Sequence, residues 1–328
     1  MSRFMLVLCL GVTLFAFRAS AEDAPLTLER TISLTGVEGR IDHMALDSAG
    51  ERLFVAALGN DSVEVLDLKQ GKHLRSLAGL KEAQGIGWAP DAGKLFVACG
   101  GDGTLHVFDG KTLDSKNAIQ LGDDADNVRY SEATKQIFVG YGSGAISIID
   151  PAKESVVGQI KVSGHPESFE VNRTAKRIFV NVPSKHLEVL EIEKMQRVAD
   201  WKLAEASGNF PMALNEDSKR LFIGCRSPAK IVVLDTESGK TVAILDGPGD
   251  MDDVFFAPKA KRIFSSGGDG IVFIHSQTDA DHYELTAKFP TATGARTSLL
   301  SPDESKLYVA VPHRGEQKAE IRVYKIAQ

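Results

Sequence analysis

The chain has 328 residues, of which 43% are hydrophobic, 25% are charged and 7% are aromatic, and its formal net charge is -6. This composition is typical of a folded globular protein and excludes collagen-like and disordered chains, while three cysteines are too few for a disulfide framework. The acidic balance argues against a protein that coats nucleic acid or an anionic membrane, because such binding needs clustered Lys and Arg.

The first segment of the chain has the layout of a secretory signal. Arg3 precedes an apolar run over residues 4–17, and the small residues at 19–21 suit cleavage after Ala21. This apolar run is shorter than the ~20 residues needed to span a bilayer. We therefore predict a signal peptide over residues 1–21, a periplasmic or secreted mature protein, and no stable membrane insertion after cleavage.

One short pattern recurs seven times along the rest of the chain. It consists of a basic or polar residue, an aliphatic residue, an aromatic residue, a second aliphatic residue and usually a small one. Consecutive aromatic residues are 42, 42, 41, 43, 42 and 44 residues apart. Repeats of ~40 to 45 residues are typical of the four-stranded blades of β-propellers. The repeated aromatic residues are Phe54, Phe96, Phe138, Phe179, Phe222, Phe264 and Tyr308.

Each repeat contains strand signals, and no part of it has a sustained helical period. An inner strand, the aromatic strand, a third strand such as SVEVLD at residues 62–67 and a fourth strand follow one another, separated by turns. An acidic residue ends five of the third strands, and we predict that it accepts hydrogen bonds from backbone N–H groups of the following turn. These residues are Asp67, Asp109, Asp150, Glu191 and Asp235.

The two ends of the chain are predicted to complete one blade. The seventh repeat stops after its third strand, and residues 26–34 form a strand before the first repeat. An open array of sheets would leave exposed edge strands. We therefore predict an all-β, seven-bladed β-propeller of four-stranded blades, in which the N-terminal strand closes the last blade. The predicted blades span residues 40–80, 81–123, 124–164, 165–206, 207–248, 249–292, and 293–328 together with 26–34.

The aromatic-Val-small strand and the following V-x-V-[LIF]-D strand resemble those of the YVTN or YncE-like seven-bladed β-propellers over residues 26–328. The resemblance implies an exported prokaryotic protein with a binding role, as in surface-layer and binding proteins, although similar propellers also include lactonases and lyases. The sequence lacks the Trp-Asp ending of WD repeats, the Trp-bearing repeats of quinone-dependent dehydrogenases and a C-x-x-C-H haem site. Redox propellers are therefore not expected.

Positions at the start of the innermost strands, twelve residues before each aromatic residue, predict a binding site. A structural position should repeat one residue type, whereas a position that faces a unique axial ligand should differ from blade to blade. These positions do differ: Asp42, Gln84, Asp126, Glu167, Phe210, Asp252 and Arg296. The positions one residue later add His43, Asn127, Ser168, Asp253 and Thr297, and the rim two residues earlier carries Arg40, Glu82, Asp124, His165 and Asp250. The predicted ligand-binding residues are Asp42, His43, Gln84, Asp126, Asn127, Glu167, Asp252, Asp253 and Arg296.

Three interpretations of this ring stay open on the sequence alone. In the first, the channel is solvated and Arg296 balances the acidic residues on either side of it. In the second, a hard divalent cation such as Ca²⁺ is bound by oxygen ligands, with Asp42, Asp126 and Glu167 as the metal ligands. In the third, a carboxylate acts as a base while His43 or Arg296 stabilises an oxyanion.

We predict a monomeric binding or scaffold protein in which the channel mouth binds a small polar or cationic ligand or a segment of a partner protein, with no nucleic acid partner. A non-enzymatic role is favoured. The alternative is a metal-assisted, lactonase-type hydrolase, in which a cation in the channel polarises a carbonyl group and a carboxylate of the ring activates water.

Overall fold

Seven sheets, each of four antiparallel strands, form a ring in the part of the chain that the structure describes. The structure is a computed structural model, and it describes residues 24–142, 144–174, 176–182, 186–204 and 206–327. The predicted seven-bladed β-propeller is confirmed. The predicted signal peptide over residues 1–21 lies outside the described residues. No helix within the described ranges is long and apolar enough to cross a membrane.

Six blades are continuous in sequence, and in each of them the four strands follow one another in chain order from the channel outwards. Blades 1 to 3 comprise β2 (Met44–Leu46), β3 (Arg52–Ala57), β4 (Ser62–Asp67), β5 (Lys72–Ala78), β6 (Ala83–Ala89), β7 (Lys94–Cys99), β8 (Thr104–Asp109), β9 (Ser115–Gln120), β10 (Ala125–Ser131), β11 (Gln136–Tyr141), β12 (Ala145–Asp150) and β13 (Ser155–Lys161). Blades 4 to 6 comprise β14 (Ser168–Val171), β15 (Arg177–Val182), β16 (His186–Glu191), β17 (Gln196–Lys202), β18 (Ser207–Asn215), β19 (Arg220–Ser227), β20 (Ala229–Asp235), β21 (Thr241–Asp246), β22 (Met251–Ala257), β23 (Arg262–Gly267), β24 (Ile271–Gln277) and β25 (Tyr283–Pro290).

The seventh blade joins the two ends of the chain, as predicted. It comprises β26 (Ser298–Leu300), β27 (Lys306–Val311), β28 (Glu320–Ile326) and the N-terminal strand β1 (Leu26–Ser33). Strand β1 pairs antiparallel with β28 and places Leu26 opposite Ile326. Leu26 and Ile32 are both buried. Nη1 of Arg30 also donates to the carbonyl oxygen of Leu68 in blade 1 at 2.8 Å, so β1 links the last blade to the first.

The repeated aromatic residues fill the space between blades. All seven are buried, and none is more than 4% exposed. Phe54 packs with Leu95 and Val97 of blade 2, whereas its neighbour Leu53 packs with Tyr308 of blade 7. Successive side chains of a strand point to opposite faces of the sheet, so each aromatic strand contributes to two interfaces. Burial of each such side chain stabilises the fold by roughly 1.5 to 3 kcal/mol. This stabilisation explains why an aromatic residue recurs at the same position in every blade.

The acidic residue at the end of the third strand has its predicted role in four blades. The carboxylate of Asp109 accepts hydrogen bonds from the backbone N–H groups of Lys111 and Thr112, both at 2.9 Å. The same type of turn contact is made by Asp67, Asp150 and Asp235. Glu191 differs, because its longer side chain forms an ion pair with Nζ of Lys194 at 2.9 Å.

The inner strands of blades 2 and 3 lie so close together that a glycine is required between them. A Cβ atom on Gly85 would lie 1.8 Å from the carbonyl oxygen of Asp126. We expect Gly85→Ala to force β6 and β10 apart and to lower the free energy of unfolding by about 3 kcal/mol, measured by denaturant titration. The control is Gly36→Ala, where no atom lies within 4 Å and φ is +82°, so we expect a loss of only about 1 kcal/mol from backbone strain. Equal losses in the two variants would contradict this interpretation.

Candidate functional site

The seven inner strands surround a cavity of about 1200 Å³ on the propeller axis. Consecutive inner strands contact one another around the ring, and β26 contacts β2, which closes it. The structure places all of the predicted ligand-binding residues along this one cavity: Asp42, His43, Gln84, Asp126, Asn127, Glu167, Asp252, Asp253 and Arg296. We call the end of the cavity that these residues form the mouth. Their role in ligand binding stays a prediction.

Carboxylates and histidines alternate around the part of the mouth that blades 1 to 4 form. Nε2 of His43 lies 3.7 Å from Oδ1 of Asp42 and 3.8 Å from Oδ1 of Asp126. Nε2 of His165 lies 3.9 Å from Oδ2 of Asp126, and its Nδ1 lies 3.0 Å from the carbonyl oxygen of Gly142. Asp126 therefore has an imidazole ring on each side.

These carboxylates favour protonation of both imidazole rings. The Asp126 carboxylate is the main cause that raises the pKa of His165 to about 9, and Asp124 contributes further. Burial lowers this pKa, but its effect is smaller. Burial opposes protonation of His43, but Asp42 and Asp126 outweigh it and raise the pKa of His43 as well. At neutral pH both rings therefore carry more positive charge than a free histidine does.

Three carboxyl groups of the mouth resist ionisation. Burial raises the pKa of Asp253 to about 7, although His43 and the backbone N–H of Ser298, 2.8 Å from Oδ2, act in the opposite direction. Burial likewise raises the pKa of Asp42 to about 6, and it raises the pKa of Glu167. Positive charge brought into the mouth would favour the ionised form of all three groups.

Two arginines neutralise the opposite part of the mouth, which blades 5 to 7 form. Nη2 of Arg226 lies 2.5 Å from Oδ1 of Asp252, and Nε of Arg296 lies 2.9 Å from Oδ2 of the same carboxylate. Arg296 was expected to balance Asp42 as well, but the Asp42 carboxylate forms its own ion pair with Nη2 of Arg40 at 2.6 Å. The acidic groups without an arginine partner therefore lie mainly in blades 2 to 4, and Asp253 in blade 6 also has none, although burial favours its protonated form.

Asn127 and Asp126 each have an acceptor oxygen in the mouth that receives no hydrogen bond from the described residues. Asn127 is fully buried, and its Nδ2 donates to the carbonyl oxygen of Glu167 at 2.7 Å, which fixes the orientation of the amide. Oδ1 of Asn127 and Oδ1 of Asp126 are left as buried acceptors without a donor. Because a buried acceptor without a donor costs about 1 to 3 kcal/mol, both atoms favour a ligand that supplies N–H groups.

Among the charged residues that line the cavity, Arg226, Arg129 and Glu170 did not emerge from the sequence. Arg226 lies four residues after Phe222, where blades 2, 3 and 6 have glycine, and Arg129 and Glu170 lie nine residues before their own aromatic residues. Each of the three departs from the residue type that other blades have at that position. A comparison of the seven blades four residues after and nine residues before the repeated aromatic residue would therefore have identified all three.

In the described residues, no group of three or more His, Cys, Asp and Glu side chains is arranged to hold a metal ion. The imidazole of His43 lies between two of the predicted ligands, Asp42 and Asp126. The proposed cation site formed by Asp42, Asp126 and Glu167 stays a prediction that needs a metal titration.

Comparisons with known proteins agree with the fold. No protein-family model and no curated protein matches the sequence. Hydrazine synthase of Kuenenia stuttgartiensis is 20% identical with a TM-score of 0.77, over 90% of this chain and 99% of that one. A chain of the mitotic checkpoint complex is 15% identical with a TM-score of 0.79 over 100% of both chains. The WD40 repeats of RRP9 are 11% identical with a TM-score of 0.80, over 92% of this chain and 100% of that one. Similarity at these identities establishes the propeller fold alone.

Proposed function

We propose that this chain is an exported binding protein of the YVTN or YncE-like kind, and that the mouth of its channel binds a small ligand that carries positive charge. The observation that carries the proposal is the excess of acidic residues around the mouth: Asp42, Glu82, Asp124, Asp126, Glu167, Asp250, Asp252 and Asp253. The basic residues there are Arg40, His43, His165, Arg226 and Arg296. Even with both histidines protonated, the acidic groups outnumber the basic ones.

Mutual repulsion of these carboxylates supports a cationic ligand rather than a neutral or anionic one. Like charges in a confined, partly dehydrated space raise one another's pKa, and an added cation relieves that repulsion. The propeller fold is consistent with a binding or scaffold role, and one structural neighbour comes from the mitotic checkpoint complex, an assembly of proteins. A Lys or Arg side chain on a partner protein would use the same residues of the mouth.

Thermal unfolding and calorimetry with simple ions test this proposal. We expect methylammonium chloride to raise the melting temperature of the wild-type protein, and sodium acetate to leave it unchanged. The double variant Asp126→Asn, Glu167→Gln should bind methylammonium at least tenfold more weakly, which is about 1.4 kcal/mol, because two carboxylates of the mouth are removed.

The control is a double variant with the same loss of charge at two exposed residues away from the mouth, Asp217→Asn with Glu237→Gln, which should bind as the wild type does. An unchanged melting temperature of the wild-type protein in methylammonium would contradict a cation-binding mouth. Stabilisation by CaCl₂ but not by methylammonium would favour the calcium interpretation instead.

A hydrolase is the second candidate, and one observation favours it. Asp253, whose pKa burial raises to about 7, lies among the groups that act on His43, and general acid–base catalysis needs groups that titrate near neutral pH. A screen of lactones and esters with and without added Ca²⁺ tests this candidate. Turnover that Glu167→Gln abolishes would establish catalysis and replace the binding role.

A further inference from the structure

One layer of residues further into the cavity is mainly apolar. It consists of the inner-strand residues that pair directly across the sheet with the repeated aromatic residues, and all seven line the cavity. We call this layer the waist. Two of its members are charged, Arg129 in blade 3 and Glu170 in blade 4, with 3.8 Å between Nε and Oε1. The other five are alanine, glycine, leucine or phenylalanine.

Blades 6, 7 and 1 form an apolar wall at the waist. Phe255 is the largest residue of this wall, and its half-buried side chain lines the cavity. It belongs to none of the buried apolar clusters that the described residues form. Leu299 and Ala45 on the next two blades are also half-buried and line the same cavity. Covering apolar surface stabilises by roughly 25 cal/mol per Å², so this wall favours a ligand with an apolar body.

The apolar wall lies one layer further along the propeller axis than the residues of the mouth. Phe255 follows Asp253 by two residues on β22, and Ala45 on β2 follows His43, which directly precedes that strand, by two residues. A strand rises by roughly 3.3 Å per residue, so about 7 Å separates the two layers. The acceptors Asp126 and Asn127 belong to blade 3, three blades away from Phe255 in the ring of seven, so an ammonium group on a flexible chain has to reach across the channel as well as along it.

We propose that the cavity binds an amphiphilic primary ammonium ion, with its aromatic or branched aliphatic body against Phe255 and Leu299 and its N–H groups directed to Oδ1 of Asn127 and Asp126. This inference rests on the proposed function and names its ligand class. The cavity of about 1200 Å³ has room for a molecule of this size, which a bare ion would not fill. The unsatisfied acceptor of fully buried Asn127 favours an ammonium with N–H donors over a quaternary one.

Isothermal titration of the protein tests the inference with four probes: phenethylammonium, methylammonium, phenyltrimethylammonium and phenylacetate. We expect phenethylammonium to bind at least tenfold more tightly than methylammonium and than phenyltrimethylammonium, and phenylacetate not to bind. Phe255→Ala should weaken phenethylammonium about tenfold and leave methylammonium unchanged. The matched control is Phe289→Ala on β25 of the same blade, where the ring packs 5.3 Å from that of Tyr324 and does not line the cavity.

The outcomes separate this inference from the proposed function. Equal binding of phenethylammonium and methylammonium would overturn the apolar subsite and leave the cationic mouth intact, whereas binding of neither would overturn both. Phenylacetate that binds as tightly as phenethylammonium would overturn the assignment of charge. If Phe255→Ala does not fold, Phe255→Leu replaces it. The position of the ligand body would be overturned if the ratio of phenethylammonium to methylammonium affinity stayed unchanged both in the folded Phe255 variant and in Leu299→Ala.

Discussion

Deletion of residues 24–33 is expected to abolish the cooperative unfolding transition of the propeller. The deletion removes β1, exposes the edge of β28 and takes away Leu26 and Ile32, both of which are buried. Loss of a buried Leu or Ile side chain costs about 2 to 5 kcal/mol, and two such losses approach the 5 to 15 kcal/mol that typically stabilises a folded protein. The measurement is thermal unfolding followed by far-UV circular dichroism.

A circular permutant separates the loss of the strand from the change of the chain ends. In this variant a short Gly/Ser linker joins residue 327 to residue 24, and the new ends lie between blades 1 and 2, at residues 80 and 81. All seven blades keep four strands, so we expect a melting temperature within a few degrees of that of the unaltered chain. A deletion variant that melts as cooperatively as this permutant would show that β1 contributes little to closure.

Replacement of Asp253 by Asn is expected to stabilise the protein by about 2 kcal/mol at pH 8 and to have little effect at pH 4. Burial raises the pKa of this carboxyl to about 7 in the folded protein, well above its value in an unfolded chain. The folded state therefore holds the proton more tightly, and stability falls as the pH rises from about 4 to about 7. An Asn side chain does not ionise, so the variant does not lose stability as the pH rises. The variant also lacks the attraction between the carboxylate and His43, which reduces the expected stabilisation.

Asp303 provides the control because its carboxyl behaves in the opposite way. Hydrogen bonds from the Ser301 and Ser305 hydroxyls lower the pKa of Asp303 to about 2. Its stabilising effect is present above pH 4 and disappears as the pH falls through 2. Asp303→Asn should therefore destabilise slightly at pH 7, by less than about 1 kcal/mol because the group is exposed. Denaturant unfolding at several pH values measures both variants, and an Asp253→Asn effect of equal size at pH 4 and pH 8 would show that burial does not control this group.

The fold was predictable because its main determinant repeats. Phe54 and its six equivalents fix the spacing, and each inner strand lies at a constant offset from them. The positions of Asp126 and Glu167 in the mouth followed from that offset alone, since a propeller brings equivalent positions of all blades to one ring. When repeats are arranged around an axis, residues at the same offset in each repeat are therefore predicted to lie close together in space.

The charges and partners of the site were not predictable in the same way. The high pKa of His165 depends on how closely blades 3 and 4 approach, because its partners are the Asp126 carboxylate and the carbonyl oxygen of Gly142. Arg226 reaches the mouth from the end of the second strand of its blade, so a search of inner strands alone misses it. Phe255 looks like a core residue in the sequence, and only its position on the cavity wall distinguishes it from the packed aromatic residues.

The pairing of β1 with β28 also determines when the protein finishes folding. Among the described residues β1 pairs with β28 alone, so the ring stays incomplete until β28 has been synthesised. Contacts between residues this distant in sequence form slowly, because the entropy of closing a long loop is lost first. The closing blade therefore forms only after the other six blades have been synthesised, so a folding intermediate without it is expected.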